Sequence, residues 1–166
     1  MHLYIVRHGA AIDREDPVCP PDPERYLTKE GIAKTREVAR GIRRLGIQPD
    51  RLISSPYVRA MQTSSIFAKV FDFPTDNILT SDALLPEADP SRIFRELENL
   101  DKSVETFCFG HGPNVDGVVA RALDLSQPIT SLKKAGIACI ELERILPPAG
   151  ILLWLASPKI LRSIGH

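Results

Sequence analysis

The sequence predicts an α/β fold, a mostly parallel sheet carrying helices on both faces. Three observations lead there. Short apolar runs of strand length alternate with longer amphipathic stretches of helical period along most of the chain. Pro- and Gly-containing turns separate them, with no internal repeat or low-complexity tract. The length, 166 residues with 43% apolar and 25% charged side chains, suits one globular domain with a single core, so residues 1–166 are expected to form one unit.

The elements follow in order. Residues 2–7, with Leu3, Tyr4, Ile5 and Val6, read as a buried strand. Residues 9–27 hold Pro17, Pro20, Pro21 and Pro23 among acidic side chains and read as a loop. Thr28 is placed to cap a helix running to about Leu45, with Ile32, Val38, Ala39, Ile42 and Leu45 on one face and Gly46 closing it. Residues 51–54 form a second strand, and Ser55-Pro56 opens a helix to about Phe71. Residues 78–80 are a short third strand. Asp89-Pro90 then starts a helix to Leu100, with Asp as cap and Pro in the first turn. Residues 104–109 give a further strand, after which Gly110-His111-Gly112-Pro113 makes a sharp turn and Asn114 caps a helix to about Leu123. Residues 138–142 and 151–155 are the last strands, parted by the Pro147-Pro148 turn.

Charge and cysteine content narrow the function. Lys+Arg and Asp+Glu both total 21, so nothing marks a chain whose partner is nucleic acid or an anionic membrane. Cys19, Cys108 and Cys139 cannot all pair internally and none lies in a C-x-x-C spacing, which indicates a reducing compartment. No export signal or membrane-length apolar run is visible, so the cytoplasm is expected.

In an open α/β sheet, ligands bind at the carboxyl ends of the strands. Arg7-His8-Gly9 ends the first strand, Ser54-Ser55 the second with Arg59 one helical turn on, Glu87 follows the third, and His111 follows the fourth. Four strand ends therefore bring chemically useful groups to one edge. Phosphoryl transfer through an enzyme nucleophile needs an attacking group that is unprotonated near neutrality. Histidine, with a reference pKa of about 6.5, meets this, and neighbouring arginines hold its pKa down. The same guanidinium forks, here Arg7 and Arg59, match the three oxygens of the transferring group. Gly9 lets the backbone turn sharply after His8. No acidic cluster joins histidines at ligand spacing, so neither a metal nor another cofactor is implied.

These residues are similar to a known set. Arg7-His8-Gly9 after an N-terminal strand, Leu27-Thr28-x-x-Gly31, Ser54-Ser55-Pro56-x-x-Arg59-Ala60-x-Gln62-Thr63 and Gly110-His111 resemble, in order, the motifs of the histidine phosphatase superfamily, the phosphoglycerate mutase-like enzymes. The resemblance implies a three-layer α/β/α sandwich, His8 as the phosphorylated nucleophile, and Arg7, Arg59 and His111 as the phosphate pocket. Within the superfamily the chain looks most like the small phosphohistidine phosphatases of the SixA type. Its shortness leaves little room for insertions that roof the site, and Leu85-Pro86-Glu87-Ala88-Asp89-Pro90 and Trp154-Leu155-x-x-Pro158 resemble stretches of that branch. An unroofed site suits a folded protein substrate, such as a phosphohistidine-bearing phosphotransfer or phosphocarrier domain. A phosphatase of small esters or nucleotides, and a phosphate-binding module without turnover, are the alternatives.

There are departures. Ala10 and Ala11 follow Arg-His-Gly where many members carry a charged or hydroxyl residue, and no Asn precedes Asn77. By resemblance, Arg25 supplies a substrate contact in their place. Glu87 stands near the acid that ester-cleaving members use to protonate the leaving oxygen, but small phosphohistidine phosphatases often have none there. Asp89 reads as a helix cap, and His2 and His166 as surface residues.

Overall fold

The computed structural model describes residues 1–101 and 104–165. Six strands form one sheet: β1 (His2–Arg7), β2 (Arg51–Ser54), β3 (Leu79–Thr80), β4 (Glu105–Gly110), β5 (Ile137–Arg144) and β6 (Ala149–Ala156), in the order β3-β2-β4-β1-β5-β6. β3, β2, β4 and β1 are parallel, β5 runs antiparallel to β1, and β6 runs antiparallel to β5. Five helices cover the sheet: α1 (Lys29–Arg44), α2 (Val58–Val70), α3 (Arg92–Glu98), α4 (Asn114–Ala122) and α5 (Pro158–Gly165). This is the three-layer α/β/α arrangement the sequence predicts.

Strand alternation builds both outer layers. Leu3 and Ile5 of β1, Ile53 of β2 and Cys108 of β4 pack with α3 and α4 through Ile93, Phe94, Val115 and Val118. Tyr4 and Val6, Leu52, and Phe107 and Phe109 point the other way. They meet Val38 and Ile42 of α1, Phe67 of α2 and Leu161 of α5. The central strands are apolar on both faces because both are covered. At roughly 25 cal/mol per Å² of apolar area, each of these fully buried side chains contributes about 1.5–3 kcal/mol before the entropy of ordering it.

Several element ends differ from expectation. Asp89 caps a turn rather than α3: its carboxylate accepts from Ser91 N at 2.9 Å, and the helix begins at Arg92. Asn114 is already inside α4, and its Nδ2 donates to the carbonyls of Ala83 (3.3 Å) and Ala88 (2.9 Å), tying α4 to the segment after β3. The helix opened by Ser55-Pro56 starts at Val58, with Ser55 Oγ accepting from Tyr57 N. β5 and β6 form a longer hairpin than expected, and α5 is an element the sequence reading did not contain. It docks on α1 through two glycines: a Cβ at Gly41 would meet Leu161 O at 2.1 Å, and one at Gly165 would meet Glu37 O at 2.3 Å. Thr28 caps α1 as expected, accepting from Gly31 N at 3.0 Å. Cys19, Cys108 and Cys139 are all free thiols. No helix among the described residues is long and apolar enough to cross a membrane.

Candidate active site

The carboxyl ends of β1, β2 and β4 meet above the centre of the sheet. β1 ends in Arg7, and His8 N donates to Gly110 O at the end of β4 (3.0 Å). β2 ends at Ser54, after which Ser55 N donates to Phe109 O (2.9 Å), and α2 then presents Arg59 in its first turn. His111 follows β4 directly. His8, Arg59 and His111 are 6%, 2% and 1% exposed, so three polar groups crowd a nearly dry site.

The geometry of His8 fixes its tautomer. Nδ1 lies 2.6 Å from Gly9 O, an acceptor only, so Nδ1 carries the hydrogen. Arg59 Nε donates to His8 Nε2 at 3.2 Å, so Nε2 presents its lone pair. Both contacts require the same neutral form. Burial pushes the His8 pKa down. The Gly9 hydrogen bond opposes this, the charges of Arg59, Arg7 and Lys134 add to it, and the net value is about 3. Burial most of all, then the neighbouring His8 ring and the charges of Arg59 and Arg7, opposed by Asp22, lower His111 to about 2. Both rings are neutral at physiological pH, 5.1 Å apart between centroids.

Other contacts hold these groups in place. His111 Nε2 sits 2.8 Å from Ser55 Oγ. Ser55 Oγ accepts from Tyr57 N and has its own hydrogen to give. Given to Nε2, it leaves the hydrogen on His111 Nδ1, which is buried without a partner. Arg7 Nη1 donates to Leu132 O at 2.7 Å while Arg7 Nε is likewise buried and unpartnered. A Cβ at Gly112 would come within 3.3 Å of Arg7 Cζ, so that glycine leaves room for the guanidinium. An unmatched His111 ring nitrogen and an unmatched Arg7 Nε, beside the Arg59 guanidinium, make a site suited to a tetrahedral oxyanion.

The Gln62-Thr63 end of the α2 motif acts as a latch. Thr63 Oγ1 accepts from Gly9 N (3.0 Å) and donates to Arg59 O (2.7 Å), joining the loop after His8 to the helix that carries Arg59. Gln62 Oε1 accepts from Leu27 N at 2.7 Å, holding the start of α1 to α2. A Cβ at Gly9 would meet Thr35 Oγ1 at 2.3 Å, so Gly9 permits close packing as well as the turn.

Arg7, His8, Arg59 and His111 are therefore brought together, with Gly9 beneath. Arg25 is placed differently from the substrate contact expected of it. Its Nε and Nη2 donate to Ile12 O (3.1 and 2.7 Å) and its Nη1 to Asp22 Oδ1 (3.1 Å). Asp22 is the residue sequence reasoning missed. Its backbone carbonyl accepts from Arg59 Nη1 at 2.6 Å and its Oδ2 from Arg59 Nη2 at 3.2 Å. Burial pushes its pKa up, but hydrogen bonds and charge from Arg25 and Arg59 outweigh this and leave it lowered. The only sequence hint was an acid three residues before Arg25 in a proline-rich loop. Glu87 is exposed and lines an open cleft of about 420 Å³ with Arg14, Cys19, Pro20, Asp22 and Arg25. His2 pairs with Glu105 at the surface (2.7 Å), and His166 lies outside the described residues. Among the described residues no group of three or more His, Cys, Asp or Glu could hold a metal ion.

Comparison with known proteins gives the family and the fold. Residues 3–89 match the family described as histidine phosphatase superfamily (branch 1). An uncharacterised protein of the cyanobacterium Picosynechococcus is 33% identical over 141 residues, covering 82% of each chain. The mitochondrial serine/threonine-protein phosphatase Pgam5 of Drosophila erecta is 29% identical over 150 residues, and this chain spans about half its length, 50%. Among solved structures, the protein histidine phosphatase SixA in complex with tungstate superposes with a TM-score of 0.84 at 25% identity, covering 97% of this chain and 99% of that one.

Proposed function

The chain belongs to the histidine phosphatase superfamily, branch 1, and from that premise we propose that it is a phosphohistidine phosphatase. Its substrates are histidine-phosphorylated signalling or phosphocarrier proteins, and it works through phospho-His8. The observation that carries this is the buried, unprotonated Nε2 of His8, whose lone pair faces Arg59 Nε at 3.2 Å. In the cycle, the Nε2 lone pair attacks phosphorus and the substrate's P–N bond breaks. The substrate ring, already protonated on its other nitrogen, departs as neutral imidazole, and water then cleaves phospho-His8, whose Nδ1 keeps its hydrogen, to phosphate and neutral His8. Arg7 and Arg59 hold the phosphoryl oxygens, with His111 Nδ1 as a further donor.

The choice of phosphohistidine over an ester rests on the leaving group. An alkoxide needs a proton as it departs, whereas imidazole, with a conjugate-acid pKa of about 6.5, leaves with little help. The carboxylate nearest the pocket, Asp22, is held ionised by Arg25 and Arg59, so it has no proton to give near neutrality. The fold likeness to a protein histidine phosphatase supports the same substrate class. A second reading, hydrolysis of small phosphate esters, rests on Glu87, an exposed carboxyl that lines the cleft with Asp22.

The test compares kcat/KM for a histidine-phosphorylated phosphotransfer domain with a panel of phosphate esters, using native enzyme, His8→Ala and Glu87→Gln. The expected result is preference for the phosphoramidate, an acid-labile adduct on His8, no turnover by His8→Ala, and a far larger effect of Glu87→Gln on esters. A native preference for esters, or an adduct elsewhere, overturns the reading.

A further inference from the structure

Beside the phosphate pocket, on the α1 and α5 side, lies a cleft of about 440 Å³ whose lining gathers six cations: Arg7, Lys34, Lys133, Lys134, Lys159 and Arg162. In a chain of zero net charge this is a strong local excess. Lys34 pairs with Glu30, and Arg162 with Glu37. Lys133, Lys134 and Lys159 are exposed and form no ion pair among the described residues. The cleft is continuous with the chemistry, because Arg7 lines it and the segment behind it grips the nucleophile. Ala135 N donates to the carbonyls of Arg7 and His8 (3.0 and 3.1 Å) from a backbone with φ +63°. Residues 13–25, which reach Arg59 through Asp22, have the other sign, with Asp13, Glu15, Asp16, Asp22 and Glu24 against Arg14 and Arg25. The mouth of the site is thus electrically polarised.

We infer that the lysine-rimmed cleft is a docking surface for an acidic patch flanking the phosphohistidine on the protein substrate. This rests on the reading of the protein as a phosphohistidine phosphatase and adds how such a substrate is oriented. Unpaired lysines rising from two separate elements, the 132–136 loop and the start of α5, suit a surface broader than one phosphate group. Positive groups on one side and negative groups on the other favour one orientation over its reverse, through steering and like-charge exclusion.

The test is the double variant Lys133→Glu/Lys159→Glu, with Lys133→Gln/Lys159→Gln as a milder partner. Lys134 is left intact because its charge reaches His8. The probes are a histidine-phosphorylated phosphotransfer domain with an acidic patch near its phosphohistidine, and free phosphoramidate, each across a range of salt. The Glu variant should lose at least tenfold in kcat/KM on the phosphodomain at low salt. The Gln variant should lose less, the differences should shrink as salt rises, and kcat/KM on phosphoramidate should stay within about twofold. An unchanged phosphodomain rate overturns the docking surface and leaves the function standing. Equal loss on both probes assigns the cleft to the phosphoryl site and also overturns it. Failure of native enzyme to turn over any phosphodomain while cleaving esters refutes the function, and the docking surface with it.

Discussion

At the scale of single residues, Arg59 directs each of its three nitrogens to a different partner: His8, the Asp22 carbonyl and the Asp22 carboxylate. Its guanidinium also lies 5.2 Å from the Tyr57 ring centroid. Asp22 therefore occupies part of the fork a phosphoryl group would need, and its negative charge opposes an arriving anion. Removing that charge has two opposed consequences. Arg59 loses one orienting bond, but the other bond from Asp22, the bond to His8 and the Tyr57 face remain, so orientation survives. The relief of competition should win. Asp22→Asn is expected to tighten inhibition by inorganic phosphate, lowering its inhibition constant by several-fold and towards tenfold, a change of about 1.4 kcal/mol. Weaker phosphate inhibition in the variant would mean that the carboxylate's main task is to aim Arg59. That Arg7, His8, Arg59 and His111 would gather was legible in the sequence, because three stand at strand ends and Arg59 stands at the start of the helix after one. Asp22 was not, since its partner Arg59 is 37 residues away and only the folded loop brings them together. Arg25 was placed near the site, but its guanidinium is used by the Ile12 carbonyl, a backbone contact that side-chain pattern does not reveal.

Elements hold the site by backbone approach as much as by side chains. The first turn of α1 lies against the loop after His8. Thr28 N donates to Ala10 O at 3.0 Å, and a Cβ on Gly31 would fall 2.1 Å from that same oxygen. Backbone cannot yield there without moving either α1 or the loop after His8. Gly46, beyond the end of α1, is the contrasting case: its φ of +78° favours glycine, but a Cβ would meet nothing within 4 Å. Gly31→Ala should therefore destabilise the protein by about 1–3 kcal/mol and reduce kcat by tenfold or more, because displacement of a nucleophile by about 1 Å can cost about a hundredfold. Gly46→Ala should cost about 1 kcal/mol with kcat unchanged. Thermal unfolding and single-substrate kinetics on both variants check this, and a Gly31 variant with native kcat would show that the loop tolerates the shift. The strands and α1 were legible because period and caps agree. α3 begins late because Asp89 spent its carboxylate on a turn, and α5 escaped notice because it is short and buries only Leu161 and Gly165.

At the scale of the whole molecule, two neutral imidazoles are kept in a nearly dry pocket at the centre of the sheet's carboxyl edge, which links the chemistry to stability. The folded pKa values of His8 and His111, about 3 and about 2, lie well below the value near 6.5 of an unfolded histidine. Above about pH 6.5 both states hold neutral rings and the pair contributes no pH dependence. Below it the unfolded chain takes up protons that the folded chain refuses, so stability falls with pH until the folded values are reached. Each ring adds at most about 1.4 kcal/mol per pH unit to that slope. Carboxylates titrate over part of the same range, so the informative quantity is a difference between proteins. His111→Asn keeps a polar side chain but removes one titrating ring. Between about pH 6 and 4.5 its stability should decline less steeply than that of the native protein, and above pH 7.5 the two curves should run parallel. Urea unfolding at fixed temperature across this range measures it. Parallel curves throughout would mean that His111 takes up its proton in the folded state and is not held in the neutral form. The same refusal of protons keeps His8 Nε2 unprotonated in mild acid, so under the proposed mechanism the acid limb of kcat/KM should lie well below pH 6.5 with a substrate that does not itself titrate there.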